Sequence, residues 1–151
     1  LEALALDDRA AVIGGALGWL GPLGDSALSA RPRLVEGGDL ITFTLDLTTT
    51  APPTVSSNAR VTITLPPSAT LISVSANGVI TAPGGGALLW QGDVTAQAQL
   101  SWTMRVADGL PRGARLTTVA AFADNAGFRY QRRAYATVPL RYFWPIFLQG
   151  G

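Results

Sequence analysis

The chain has no cysteine and no histidine, and all eleven of its basic residues are arginine, so lysine is missing too. Each absence removes a class of chemistry. Without Cys there is neither a disulfide framework nor a thiolate metal site. Without His the commonest general base and the commonest metal ligand are gone. Without Lys there is no Schiff-base catalysis, no Ser-Lys dyad and no phosphate-loop lysine. Charge is also scarce, at 14% of residues with a net value of +1. Such a balance exerts no long-range pull on nucleic acid or on an anionic membrane. No apolar run reaches the ~20 residues that a membrane-spanning helix requires. Met104 is the single methionine and the chain opens at Leu1. The expectation is a processed product, the C-terminal piece of a larger precursor; the opening residues do not read as a signal peptide.

What the chain does have is strand grammar. Ile41, Phe43, Leu45 and Leu47 alternate with Thr42, Thr44, Asp46 and Thr48, and Val61, Ile63 and Leu65 alternate with Thr62 and Thr64. A period of two in β-branched and aromatic residues marks a half-buried antiparallel strand. The same pattern recurs at 69–76, 87–91, 97–106, 114–123 and 128–138, and 27–35 leads into Gly37 and Gly38. Seventeen Gly and ten Pro, placed mostly between these runs, supply the turns. Asn77-Gly78, the 83–86 stretch and the 124–127 loop are the strongest of them. Seven to eight strands at this spacing predict an all-β, immunoglobulin-like Greek-key sandwich over 26–139. Phe43, Leu45, Val61, Ile63, Leu65, Trp102, Met104, Ala120 and Phe122 are its expected core, with Trp90 also in phase.

Two appendages flank the sandwich. Residues 1–25 hold the single helical candidate, 7–20, which Asp7 or Asp8 can cap. Val12, Ile13, Leu17 and Leu20, with Ala16, fall on one face at i, i+4 spacing. Gly14, Gly15 and Gly18 each cost about 1 kcal/mol relative to Ala, so this helix requires packing. Residues 140–151 form an extended apolar tail in which Leu140, Tyr142, Phe143, Trp144, Ile146, Phe147 and Leu148 arrive after the strand count is complete. Trp19 and Trp144 lie outside the sandwich and need another surface to bury against. The tail is expected to dock either on the helix through Val12, Ile13, Leu17, Trp19 and Leu20, or on a neighbouring subunit; the alternative is a tail folded on its own sandwich.

The strand motifs resemble the DUF-eleven repeats of bacterial surface proteins. Gly38-Asp39 followed by the alternating strand through Phe43 matches their opening, and Val61 to Leu65-Pro66 matches the strand that ends in Leu-Pro. Leu89-Trp90 with Gly92-Asp93, Leu100 to Val106 with Trp102, and Leu116 to Ala120 match the later blocks in order. The resemblance covers about residues 30–138. It implies a secreted immunoglobulin-like sandwich, extracellular or on the cell surface, serving as a stalk, spacer or adhesive module. Ile63 and Thr49 depart from the family's usual Asp and Asn, and the isopeptide bond of some surface sandwiches is unavailable without Lys. More distantly, Leu4 to Leu20 is similar to the closing helix of a secreted enzyme domain. Val138 to Leu148 is similar to short apolar tails of exported bacterial proteins.

Carboxylate pairs are the one catalytic constellation left. Asp93, Asp108, Asp124, and Glu36 with Asp39, all fall where turns and strand edges account for them. Asp124-Asn125 and Glu36 with Asp39 are the calcium candidates, but no Asp-x-Asp-x-Asp loop is present. The Phe128–Tyr135 stretch mixes Arg with aromatics as single-strand nucleic-acid binders do, whereas a solvated strand explains it without a ligand. The reading is therefore a non-enzyme with no catalytic, cofactor or metal residues. Its partners are other copies or other surface proteins, joined by strand or tail exchange into a filament, with no nucleic acid. The alternative is an accessory carbohydrate- or protein-binding domain of a secreted enzyme, with Tyr130, Tyr135 or Trp144 stacking on ligand.

Overall fold

The computed structural model of the chain describes residues 23–49, 55–123 and 127–140. These form nine strands in two sheets and no helix. The first sheet holds β1 (Ala27–Arg31), β2 (Leu40–Thr48), β7 (Gln97–Val106) and β4 (Ala69–Ala76), in that order. The second holds β5 (Val79–Gly84), β6 (Ala87–Val94), β3 (Ser56–Thr64), β8 (Arg115–Ala123) and β9 (Arg129–Thr137). All strand pairs are antiparallel, and the chain changes sheet repeatedly, giving the immunoglobulin-like Greek-key sandwich. The expected helix at 7–20 and the tail beyond Leu140 lie outside the described residues.

Alternation sets the two faces of each strand. In β2 the apolar Ile41, Phe43, Leu45 and Leu47 are all buried while the intervening residues are half-buried or exposed. Across the ladder Phe43 lies opposite Trp102, their rings stacked at 5.8 Å. Val61, Ile63, Met104, Ala120 and Phe122 join the same core, as does Trp90. Leu65 departs from expectation. It is only partly buried, because β3 ends at Thr64 and the Leu65 amide turns to donate to the Gly86 carbonyl at 2.7 Å.

Three local corrections follow from backbone geometry. The stretch 27–35 is not one strand. β1 stops at Arg31, a cis Arg31–Pro32 bond redirects the chain, and Leu34 bridges Thr137 in the other sheet. Arg33 O accepts from the Thr137 amide and the Val35 amide donates to Thr137 O, at 2.8 and 3.1 Å. Secondly, Asn77-Gly78 turns the chain as expected but joins no hairpin. It carries the chain from β4 in one sheet to β5 in the other, with Gly78 at φ +119°. Thirdly, the stretch between the two turn signals is itself a strand, β5, which forms a hairpin with β6 through Gly85 and Gly86. Both turn glycines have positive φ, +68° and +74°, which a tight primed turn demands.

Trp90 has a made-to-measure slot. Its Nε1 donates to the Asn77 carbonyl at 2.7 Å, and its ring passes so close to Gly78 and Gly92 that a Cβ there would stand 2.7 and 2.6 Å from it. Trp102 is equally buried, but its Nε1 has no partner among the described residues. The ring is held by packing alone.

Candidate interaction surfaces

The carboxylates come first, since chemistry would have to start there. Asp93 Oδ1 accepts the Asn58 amide at 2.7 Å, and Gln91 Nε2 donates to Asn58 Oδ1 at 3.2 Å. This clamp holds Asn58 at φ +52° in the bulge between Ser56 and Ala59. Asp39 Oδ2 accepts the Glu36 amide at 2.8 Å, closing the turn before β2. Asp108 packs beside Gly37 at the same end of the sandwich. Each of these acids has a structural occupation, and no group of three potential ligands gathers among the described residues. Asp124 and Asn125 lie outside the described residues.

Three surfaces remain. The first is the pair of edges formed by β4 and β5, each paired on one side only. β4 reads Ala-Thr-Leu-Ile-Ser-Val-Ser-Ala, without a charge or a proline. Natural sheets usually blunt an edge with charge, Pro or a bulge. Here the one such device is a bulge between Leu71 and Ser73, which leaves Ile72 half exposed. Val79 at the start of β5 is exposed as well.

The second surface is the end from which the tail departs. Val138 is buried and ties to Gly113 and Ala114 through paired backbone bonds of 2.9 Å. Leu140 lies beyond it, 55% exposed and close to Gly113. A shallow hollow of about 200 Å³ opens beside them, lined by Glu36, Leu110, Arg112 and Pro139 among others. β4 begins at this same end, where Ser68 O accepts the Ala107 amide at 2.9 Å. Of the tail residues singled out in the sequence, Leu140 alone is described. Tyr142, Phe143, Trp144, Ile146, Phe147 and Leu148 lie outside the described residues, as do Val12, Ile13, Leu17, Trp19 and Leu20.

The third surface is the side where β1 and β9 approach each other. A groove of about 360 Å³ runs there between Leu28, Arg33, Leu34, Arg133 and Tyr135. Arg129, Gln131, Arg133 and Tyr135 point outward along β9, and Arg115 on β8 places its guanidinium 5.0 Å from the centre of the Tyr135 ring. Arg132 points the other way. Its Nε donates to Ser26 O at 2.9 Å and its Nη2 to Gly24 O at 2.7 Å, with the guanidinium over Phe122. Sequence reasoning took the Arg side chains of β9 as solvated, and for Arg132 that is wrong. The phase of Ala134 and Ala136 puts position 132 on the inner face, where carbonyls of the 23–26 turn receive the charge. Tyr130 also faces inward and stacks on Phe122 at 5.2 Å, so it is no ligand platform. Tyr135 faces outward and is 52% exposed.

No family model matches the chain, and no curated protein matches it. Solved structures do. The chain is similar to the collagen-binding subdomain of the Enterococcus faecalis surface protein ACE, with a TM-score of 0.55 at 6% identity, over 74% of this chain and 94% of that one. It is similar to the N-terminal domain of a Streptococcus gordonii adhesin at a TM-score of 0.61 and 8% identity, over 79% of this chain and 33% of that one. The major pilin subunit of Bacillus cereus matches at 0.57 and 14%, over 76% of this chain and 39% of that one. The chain thus spans about a third of the adhesin structure and two-fifths of the pilin. At these identities the likeness establishes the fold, an immunoglobulin-like sandwich of the kind found in surface adhesin and pilin domains.

Proposed function

We propose that this chain is a non-catalytic interaction module of an extracellular or cell-surface assembly, joined to further copies through its C-terminal tail. The observation that carries the reading is the β4 edge, uncharged and unpaired on its outer side among the described residues, which starts at the end of the sandwich where the tail leaves. An uncharged, proline-free edge strand is a template for an added strand. The tail supplies apolar residues beyond those the sandwich needs, and leaving three or four of them in water forgoes several kcal/mol at roughly 25 cal/mol per Å². A head-to-tail contact whose rotation does not close into a ring grows into a filament. The adhesin and pilin likeness agrees with such a role, and the order of the strand motifs supports kinship with the DUF-eleven repeats. Sedimentation of the full chain against a truncation after Leu140 tests it. The full chain is expected to form a concentration-dependent series of large species and the truncation a folded monomer. A full chain that stays monomeric at high concentration would refute the assembly.

A second reading, an accessory ligand-binding domain, is favoured by the exposed Tyr135 beside the β1–β9 groove.

A further inference from the structure

We propose that the outer side of β9, with the groove between β1 and β9, binds an acidic polysaccharide, a sugar chain bearing carboxylate or sulfate groups. This rests on the second reading above and names its ligand. Arg60 and Arg129 flank Ala123 in one row of the second sheet, two strand spacings apart, or ~10 Å. Arg133 follows Arg129 by four residues on the same side of β9, ~13 Å further along. Arg115 lies over Tyr135, and Arg33 faces Arg133 across the groove. Distant stretches of sequence thereby converge on one flank of the molecule.

Among the described residues most of the opposing charges lie elsewhere. Asp46 lies on the outer face of the other sheet, hydrogen-bonded to Gln99. Glu36, Asp39 and Asp108 gather at the tail end, and Asp25 sits in the turn ahead of β1. Asp93 lies on the same sheet, two residues on from Gln91, the register partner of Arg60, and accepts the Asn58 amide. Among the described residues no carboxylate pairs with Arg60, Arg115, Arg129 or Arg133, all of them exposed. Arginine forks bind carboxylate and sulfate oxygens in a bidentate manner, which suits discrete acid groups spaced along a polymer. Between the forks stand Gln131 and Thr62, uncharged side chains able to hydrogen-bond sugar hydroxyls. A nucleic acid fits less well. Successive bases want a row of exposed rings, and the outward row of β9 offers Tyr135 alone.

The test is binding of the full-length chain to hyaluronate (carboxylate), heparin (sulfate), neutral dextran and single-stranded DNA, at about 50 and 300 mM NaCl. Either acidic polysaccharide should bind at low salt and weaken at high salt, as screening requires; the two arms show which acid group is preferred. Dextran should not bind. Losing two charge-assisted contacts, the Arg129→Gln/Arg133→Gln variant should bind at least about tenfold more weakly. Arg105→Gln, on the outer face of the other sheet, should leave affinity within about twofold, and melting temperatures confirm that both variants fold. Equal loss in the Arg105 variant would overturn the assignment, as would DNA binding more tightly than both polysaccharides. Dextran binding that ignores the Arg substitutions would leave a ligand-binding module in place and remove this ligand class. Binding to none of the four would overturn this proposal and leave the second reading with a protein ligand only.

Discussion

Trp102 and Trp90 show two ways of burying an indole. Trp102 sits between the sheets with its N–H unpartnered, so its contribution is packing against Phe43 and its neighbours. Trp102→Ala should cost ~3–5 kcal/mol, the sum of lost burial and an unfilled cavity. A chemical-denaturation midpoint within error of wild type would mean that the ring does not organise the core. Trp90 is fixed by a hydrogen bond and by two glycines that give its ring room. Gly92→Ala places a methyl 2.6 Å from the ring, so Trp90 must move, at a cost of ~1–3 kcal/mol. Indole fluorescence should shift as the ring is displaced; an unchanged spectrum and midpoint would contradict the slot. Arg132 is the third such residue. Its guanidinium is a strut that satisfies two carbonyls of the 23–26 turn, and hydrogen bonds from a charged donor are worth about 1.5–3 kcal/mol. Arg132→Met keeps much of the stem but loses both bonds. It should destabilise by about that amount and speed hydrogen exchange in the adjoining β1, whereas Arg133→Met should do neither.

At the scale of elements, the sandwich holds its edges by unequal means. On one side the chain itself crosses from β1 to β9 at residues 33–35 and closes the seam. On the other side β4 and β5 are left open. Carboxylate-to-amide clamps tie the turns at the ends, and no group of three metal-ligating side chains gathers among the described residues, so excess chelator is expected to leave the thermal midpoint unchanged. A fall of many degrees would reveal an oxygen-ligand site. Much of this was legible in the sequence, because period-two alternation directly encodes which residues face the core. β2, β3, β7 and β8 were readable from it. β5 was not, since its Pro83 and Gly84 run on into two more glycines and carry the composition of a turn. The break at Pro32 was hidden because residues on either side are extended; only partner strands reveal that they belong to different sheets. The inward Arg132 was hidden for a related reason, as charge argues for solvent until a carbonyl pair is seen to receive it. For the candidate surfaces, the cation–aromatic mixture at 128–135 was visible in the sequence. The arrival of Arg33, Arg60 and Arg115 beside it depends on register and could not be read from spacing.

For the whole molecule, the account joins a rigid sandwich to a surplus of apolar surface. The sandwich buries the inner faces of β2, β3, β7 and β8 and leaves β4 and β5 largely exposed; in the proposed reading the tail from Leu140 onward finds its partner on the edge of β4, whether its own or a neighbour's. A neighbour's edge makes the module a polymer subunit, and its own edge makes it a spacer. Hydrogen exchange of the β4 amides, followed over a hundredfold range of protein concentration in the full chain and in the truncation after Leu140, separates these outcomes. The account predicts that amides within 70–75 become protected as concentration rises, and that the truncation exchanges quickly at every concentration. Protection that is independent of concentration would show a tail folded on its own sandwich, and equal exchange in both proteins would contradict the account altogether.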